Sequence, residues 1–166
     1  MDTFWTITGK IESVIFAVGI IYAVTLWARG ISPAILRLGN GLAKREIAIF
    51  AKGENSLSLK NLLLDSKLFK AKNIRVIGTP KDIGSAESAT MLLVYWHDWA
   101  TEIDSIFEIK ADASALIVYA PYDHQRIPEN EMKKLDGKRH TAVTNFRGRL
   151  LNDIVASMIT TAYEKS

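Results

Sequence analysis

The chain begins with a long apolar run, and after it short apolar runs alternate with stretches of helical periodicity. Residues 11–28 read IESVIFAVGIIYAVTLWA, in which Glu12 is the single charged side chain. As an α-helix this run would rise about 27 Å, close to the roughly 30 Å of a membrane's hydrocarbon core. Trp5 and Trp27 lie near its ends, where indole rings favour the boundary between lipid and water. The pattern predicts a transmembrane helix within residues 1–28.

Two other interpretations of this run stay open. A cleaved signal peptide has a similar length, but it normally starts with basic residues, whereas Asp2 and Glu12 are acidic. No clear small-residue cleavage site precedes Gly30 either. The run could also form a buried helix of a soluble protein, since its 18 residues are near the lower limit for a membrane span.

A basic segment follows the apolar run. Residues 29–45 carry four basic side chains, and no acidic residue lies among them. Positively charged flanks of membrane helices stay on the cytoplasmic side. We therefore expect residues 29–45 to be a juxtamembrane connector, with the N-terminus outside and residues 46–166 in the cytoplasm.

Residues 46–166 alternate between apolar runs and helical stretches. The predicted strands cover residues 46–51, 74–78, 91–96, 115–120 and 141–146. The predicted helices cover residues 58–69, 80–89, 101–110, 128–135 and 147–163, of which the second has the weakest pattern. Near-continuous apolar strands separated by helices are typical of a parallel sheet covered on both faces. The prediction is an α/β fold: a small flavodoxin-like or Rossmann-like domain with a doubly wound parallel sheet of about five strands.

Composition and charge limit the chemistry. The 166 residues include no cysteine, which excludes a disulfide scaffold, thiolate catalysis, cysteine-ligated zinc and iron–sulfur clusters. The formal net charge is +3, but residues 46–166 contain 16 basic and 16 acidic side chains. The excess of positive charge lies in the connector. It therefore predicts the orientation of the membrane helix and does not indicate a nucleic-acid-binding domain.

The carboxyl ends of the predicted strands are where doubly wound sheets bind ligands. At the last of them, Asn145 is suited to cap the following helix, and Arg147 and Arg149 lie in its first turn. Free helix amides together with guanidinium groups form a phosphate-binding arrangement. The predicted ligand-binding residues, which include three cations after other strands, are Asn145, Arg147, Arg149, Lys52, Lys81 and Arg126.

A purely structural interpretation of this region stays open. Arg149 could pair with Asp153 one turn later on the same helix, while Arg147 points to solvent. The aromatic side chains near the same edge could stack on a base, but core or subunit-interface positions are the favoured interpretation. These aromatic residues are Tyr95, Trp96, Trp99, Tyr119 and Tyr122.

The apolar run also carries features of a pore. Gly19 and Ala23 have the four-residue spacing of small residues that lets membrane helices approach closely. Asp2 and Glu12, brought together from several copies, would form an acidic mouth for cations. In the other interpretation, Glu12 is a single glutamate that reaches the interface or pairs with Lys10.

Signals for catalysis and metal binding are weak. His97, Asp98 and His124 lack a recognisable metal-ligand spacing, so we predict no metal site. The chain has no Walker loop, no G-x-G-x-x-G and no G-x-S-x-G motif. We expect no cofactor, and a non-enzymatic function is favoured.

Two protein families with this βα arrangement resemble the chain in part. Response-regulator receivers need clustered acids after the first strand and a lysine after the fifth, whereas this chain has Lys52-Gly53-Glu54 and Asn145 there. Toll/interleukin-receptor-like NAD hydrolases place a glutamate after the third strand, and Glu102 in HDWATEID lies near that position. The tryptophan spacing and first-strand signature of these hydrolases are missing. This resemblance implies the alternative function, a membrane-tethered nucleotide-processing enzyme with Glu102, His97 or Asp98 as its acid or base.

The organisation of the whole chain is the third resemblance. A single N-terminal membrane helix joined to a small Rossmann-like sensor resembles the membrane effectors of bacterial antiphage defence. These include channels gated by cyclic oligoadenylate and the membrane effector of the Hailong system, which single-stranded DNA oligomers hold shut. The resemblance implies a homo-oligomeric channel, such as a tetramer, in the bacterial inner membrane. Its ligand would be a nucleotide second messenger or a single-stranded oligonucleotide, supplied by a nucleotidyltransferase encoded nearby. A structural membrane adaptor is the remaining alternative.

Overall fold

A computed structural model describes residues 15–30, 39, 45–123 and 126–162. Contacts divide the chain into two units, Met1–Asn40 and Gly41–Ser166. The first unit contains helix α1, of which residues 15–30 are described. The second contains the sheet and the other helices.

The side chains of α1 are exposed all round the helix. They include Phe16, Ile21, Tyr22 and Trp27, each more than half exposed. Within the described part of the chain, no helix combines the length and apolarity that a membrane crossing requires. Asp2, Glu12 and nearly all of the connector lie outside the described residues. The transmembrane helix over residues 1–28 stays a prediction.

The second unit alternates strands and helices as the sequence predicts. The strands are β1 (Ile47–Phe50), β2 (Ile74–Ile77), β3 (Met91–Tyr95), β4 (Ala115–Tyr119) and β5 (Thr141–Thr144). The α-helices are α2 (Gly53–Asp65), α3 (Trp96–Trp99), α4 (Ile103–Ile109), α5 (Glu129–Asp136) and α6 (Arg147–Ala162). Three 3-10 helices cover Ala71–Asn73, Pro80–Ala86 and Ala100–Glu102. The weakest predicted helix, residues 80–89, is therefore a 3-10 helix.

All five strands pair in parallel, in the order β2-β1-β3-β4-β5. This is the flavodoxin-like order of a doubly wound sheet, and it confirms the predicted fold of the domain. Every residue of β1, β3 and β4 is buried, because helices cover both faces of these central strands. The continuous apolar runs of the sequence follow from this double coverage.

Alternate strand residues face opposite cores. Ile49, Leu93 and Ile117 pack against α2 and α6. Phe50 and Val94 belong to the other core, which includes side chains of the 3-10 helix Pro80–Ala86 and of α3, α4 and α5. The first turns of α2 and α6 therefore lie on one side of the carboxyl edge, and α3 and α5 on the other.

Candidate functional site

The strand order separates the six predicted ligand-binding residues. Lys81 follows β2, the strand at one edge of the sheet, whereas Asn145 follows β5, the strand at the other edge. Four strand spacings of about 4.8 Å put these positions on the order of 19 Å apart. The side chain of Lys81 is exposed. The six residues do not form one site.

The switch point between β1 and β3 already contains an anion of the protein itself. The backbone N–H of Lys52 donates to Asp98 Oδ2 at 2.7 Å, and Asn55 Nδ2 donates to the same oxygen at 3.2 Å. The start of α2 is thus capped by a carboxylate from α3. Gly53, whose φ is +52°, provides the sharp turn from β1 into α2.

The side chain of Lys52 lies over an aromatic ring of α3. Its Nζ lies 5.3 Å from the centre of the Trp99 ring, within the range of a cation–π contact. Sequence reasoning named Lys52 as a ligand contact and missed the role of Asp98. The sequence offered no local signal for this role, because the predicted helix started at residue 58 and Asp98 is 46 positions away from Lys52.

Arg147 connects the start of α6 to α2 and β4. Its Nη2 donates to the Ser58 carbonyl oxygen at 3.1 Å, and its positive charge acts on the Tyr119 hydroxyl. Tyr119 packs edge-on against Tyr95, with ring centres 5.8 Å apart. Burial raises the pKa of the Tyr119 hydroxyl, and the nearby positive charge of Arg147 opposes that rise. Arg147 therefore has protein partners in this state.

Arg149 forms the ion pair with Asp153 that the purely structural interpretation predicts. Its Nε lies 3.2 Å from Asp153 Oδ1, one turn further along α6. The pair lies on the helix surface, where the Arg149 side chain is 71% exposed. The two arginines that the sequence groups together thus differ in their surroundings.

Asn145 and Arg126 share one cavity at the carboxyl ends of β4 and β5. The cavity has a volume of about 340 Å³, and its walls include Tyr122, Met132 and Val143. Among the described residues, none forms a hydrogen bond or ion pair with the Arg126 guanidinium or the Asn145 side-chain amide. A guanidinium and an amide without protein partners, set in a mainly apolar cavity, are groups that can orient an anionic ligand.

An exposed aromatic pair adjoins this cavity. Tyr122 and Phe146 pack edge-on with ring centres 4.9 Å apart, and they are 59% and 56% exposed. The four other aromatic residues predicted at this edge are buried, which confirms their interpretation as core residues. Tyr122, a wall of the cavity, is the exception. Rings exposed to this degree, beside a guanidinium that has no partner among the described residues, are available for stacking on a planar group.

The residues considered for catalysis are described only in part. Glu102 accepts a hydrogen bond from Thr101 Oγ1 at 2.6 Å and is only partly exposed. His124 lies outside the described residues. Within the described ranges, no group of three metal-ligating side chains is present.

The chain matches neither a known protein-family model nor a curated protein.

Proposed function

We propose that this protein is an oligomeric membrane effector whose α/β domain binds a nucleotide or oligonucleotide at the carboxyl edge of its sheet. One observation carries the binding part of the proposal: Arg126 and Asn145 line the same cavity without protein partners among the described residues. A guanidinium is suited to a phosphate, and an amide is suited to the edge of a base. The exposed rings of Tyr122 and Phe146 add faces on which a base can stack.

The membrane part of the proposal is supported by the N-terminal region. The apolar run over residues 11–28 is followed by a basic connector, as in single-span proteins with a cytoplasmic domain. The large apolar side chains of residues 15–30 are exposed on all sides of α1. A helix that is apolar all round is stable only in apolar surroundings, such as lipid or neighbouring helices.

Replacing Arg126 with glutamine should weaken binding of a fluorescein-labelled single-stranded oligodeoxynucleotide about tenfold, because a charge-assisted hydrogen bond to phosphate is lost. Fluorescence anisotropy of the full-length protein in detergent micelles measures this change. The slope of log affinity against log salt should fall by about 0.7. Lys81→Gln is the matched control: it removes the same charge at the opposite edge of the sheet and should leave both quantities unchanged. Equal losses in the two variants would contradict the proposed site.

If the protein is a channel, planar bilayers that contain the purified full-length protein should carry a current in either the ligand-bound or the ligand-free state. Glu12→Gln should lower the preference for cations, because the acidic vestibule loses one charge per copy. Lys10→Gln, which removes a nearby basic charge instead, should not lower the preference for cations. Absence of conductance in both states would refute the pore while leaving the nucleotide site to be judged by the anisotropy experiment.

A further inference from the structure

The exposed side chains of α1 differ from one side of the helix to the other. Positions 15, 18, 22, 25 and 29 repeat with alternating spacings of three and four residues, so they lie along one face of the helix. This face, the Tyr22 face, consists of Ile15, Val18, Tyr22, Thr25 and Arg29. It contains the two side chains of residues 15–28 that carry a hydroxyl group. Arg29 lies at its end, where the basic connector begins and a long side chain can extend into water.

The opposite face of α1 is apolar. Phe16, Ile20, Val24 and Trp27 lie along it, and each of these side chains is at least 49% exposed. The indole of Trp27 is near the end of the apolar run, where lipid meets water. Bulky apolar side chains are suited to contact with lipid, whereas polar side chains of membrane helices face other helices. This distribution favours a helix contact at the Tyr22 face.

The two hydroxyl groups of this face differ in what they need from a neighbour. Thr25 Oγ1 donates to the Ile21 carbonyl oxygen at 2.7 Å, so its hydrogen is bonded within α1. The Tyr22 hydroxyl forms no hydrogen bond with the described residues, and the side chain is 66% exposed. Tyr22 lies seven residues before Arg29, about 10 Å along the helix axis and therefore inside the apolar run. A hydroxyl at that depth in lipid needs an acceptor from another helix.

A second copy of this chain is the neighbour that fits the Tyr22 face. A row of side chains with this spacing packs against an identical row on a parallel helix, as in coiled coils. Copies inserted in one membrane with the same orientation are parallel to one another. Residues 46–166 contain 16 basic and 16 acidic side chains, so the net charge of the domains does not keep copies apart.

We propose that the Tyr22 face is the surface through which copies of this chain associate, with the Tyr22 hydroxyl bonded to the neighbouring helix. This inference rests on the proposed function and adds to it the helix face that forms the oligomer. The face of Phe16, Ile20, Val24 and Trp27 is then left in contact with lipid.

The first test uses single cysteines, because the chain has none of its own. Val18→Cys lies on the Tyr22 face. In vesicles of phosphatidylcholine and phosphatidylglycerol, mild oxidation of this full-length variant should give a disulfide-linked dimer, since facing residues of packed helices come within disulfide reach. Ile20→Cys, on the opposite face, is the matched control and should give none. Electrophoresis without reductant measures both. Equal crosslinking of the two variants, or none at Val18→Cys, would overturn the proposed face.

The second test concerns the Tyr22 hydroxyl. Tyr22→Phe should weaken association of the full-length protein about threefold for each hydrogen bond lost. Energy transfer between donor-labelled and acceptor-labelled copies in the same vesicles, with the dyes on Ser166→Cys, measures this change. Thr25→Val is the matched control and should leave association unchanged, because the Thr25 hydroxyl is bonded within its own helix. Equal effects of the two variants would contradict the role of Tyr22.

Failure of this inference differs from failure of the proposed function. If the protein stays in the vesicles after a carbonate wash but crosslinks from either face, the Tyr22 face alone is wrong. If the wash removes the protein from the vesicles, the membrane part of the proposed function is wrong as well. The binding of the labelled oligonucleotide is measured separately and is not affected by either result.

Discussion

Replacing Leu93 with alanine should lower the free energy of unfolding by about 2–5 kcal/mol. Leu93 lies in β3, the middle strand of the sheet, and is fully buried. It is in register with Ile49 on one side and Ile117 on the other, both also fully buried. Neighbouring strands cannot move into the space of the lost side chain without breaking their hydrogen bonds, so a cavity remains.

Guanidinium unfolding of the full-length protein, followed by tryptophan fluorescence, measures the effect of Leu93→Ala. The buried rings of Trp96 and Trp99 report on the domain. Leu57→Ala is the matched control, since this leucine on α2 is 61% exposed. It should change the free energy of unfolding by less than about 0.5 kcal/mol. Similar losses in the two variants would mean that the sheet does not have the helix cover described above.

Removing the carboxylate of Asp98 should cost about 2 kcal/mol of stability, because hydrogen bonds to a charged acceptor are lost at the start of α2. The Lys52 backbone N–H and the Asn55 amide would lose their shared acceptor in Asp98→Ala. Hydrogen exchange at the Lys52 amide should become faster in the same variant. Both changes follow from the position of Asp98, which joins α3 to α2 across the switch point.

Asp104→Ala is the control for the loss of an acidic side chain. Asp104 also has a partner, Lys134 at 3.2 Å, but its side chain is 70% exposed. A surface ion pair of this kind contributes about 0–1 kcal/mol. If Asp98→Ala destabilised the protein no more than Asp104→Ala, and the Lys52 amide kept its protection, the capping role of Asp98 would be wrong.

The carboxylate of Asp98 at the switch point between β1 and β3 affects where an anionic ligand can bind. Doubly wound domains offer this crevice to phosphates, but here the amide at the start of α2 already faces a carboxylate. An incoming phosphate would meet the negative charge of Asp98. Arg126 and Asn145, at the other end of the carboxyl edge, are not hydrogen-bonded or ion-paired to a carboxylate among the described residues. The binding site we propose is therefore displaced toward β4 and β5.

Much of the fold could be predicted because it depends on local pattern. Strands such as Met91–Tyr95 are apolar throughout, and α6 has an apolar stripe at helical spacing. Where a boundary depends on a distant partner, the prediction is less good. Helix α2 begins at Gly53, five residues before the predicted start at residue 58, because its start is capped by Asp98 from α3.

The candidate site could be predicted only in part. Spacing along α6 already allows the pair between Arg149 and Asp153, but spacing alone cannot decide between that pair and a ligand contact. Arg147 is held by the carbonyl of Ser58, which is 89 positions away in sequence. Arg126 forms no hydrogen bond or ion pair with the described residues, although it shares a cavity with Asp104 and Glu131, and no local pattern in the sequence contains this property.

By itself, the sequence determined the order of strands and helices, the parallel sheet with both faces covered, and the separation of a neutral domain from a basic connector. These properties follow from hydrophobic periodicity and charge, which act along short stretches of chain. Only the tertiary structure decided which of the predicted ligand-binding residues lie close together. It places Lys81 after β2, at the edge of the sheet opposite to β5, and it places Lys52 over the ring of Trp99. It also brings Arg126 and Asn145 to one cavity. The physical reason is that the distance between residues after different strands is set by strand order and by the helices that cover each face, and both arise from packing across the whole domain.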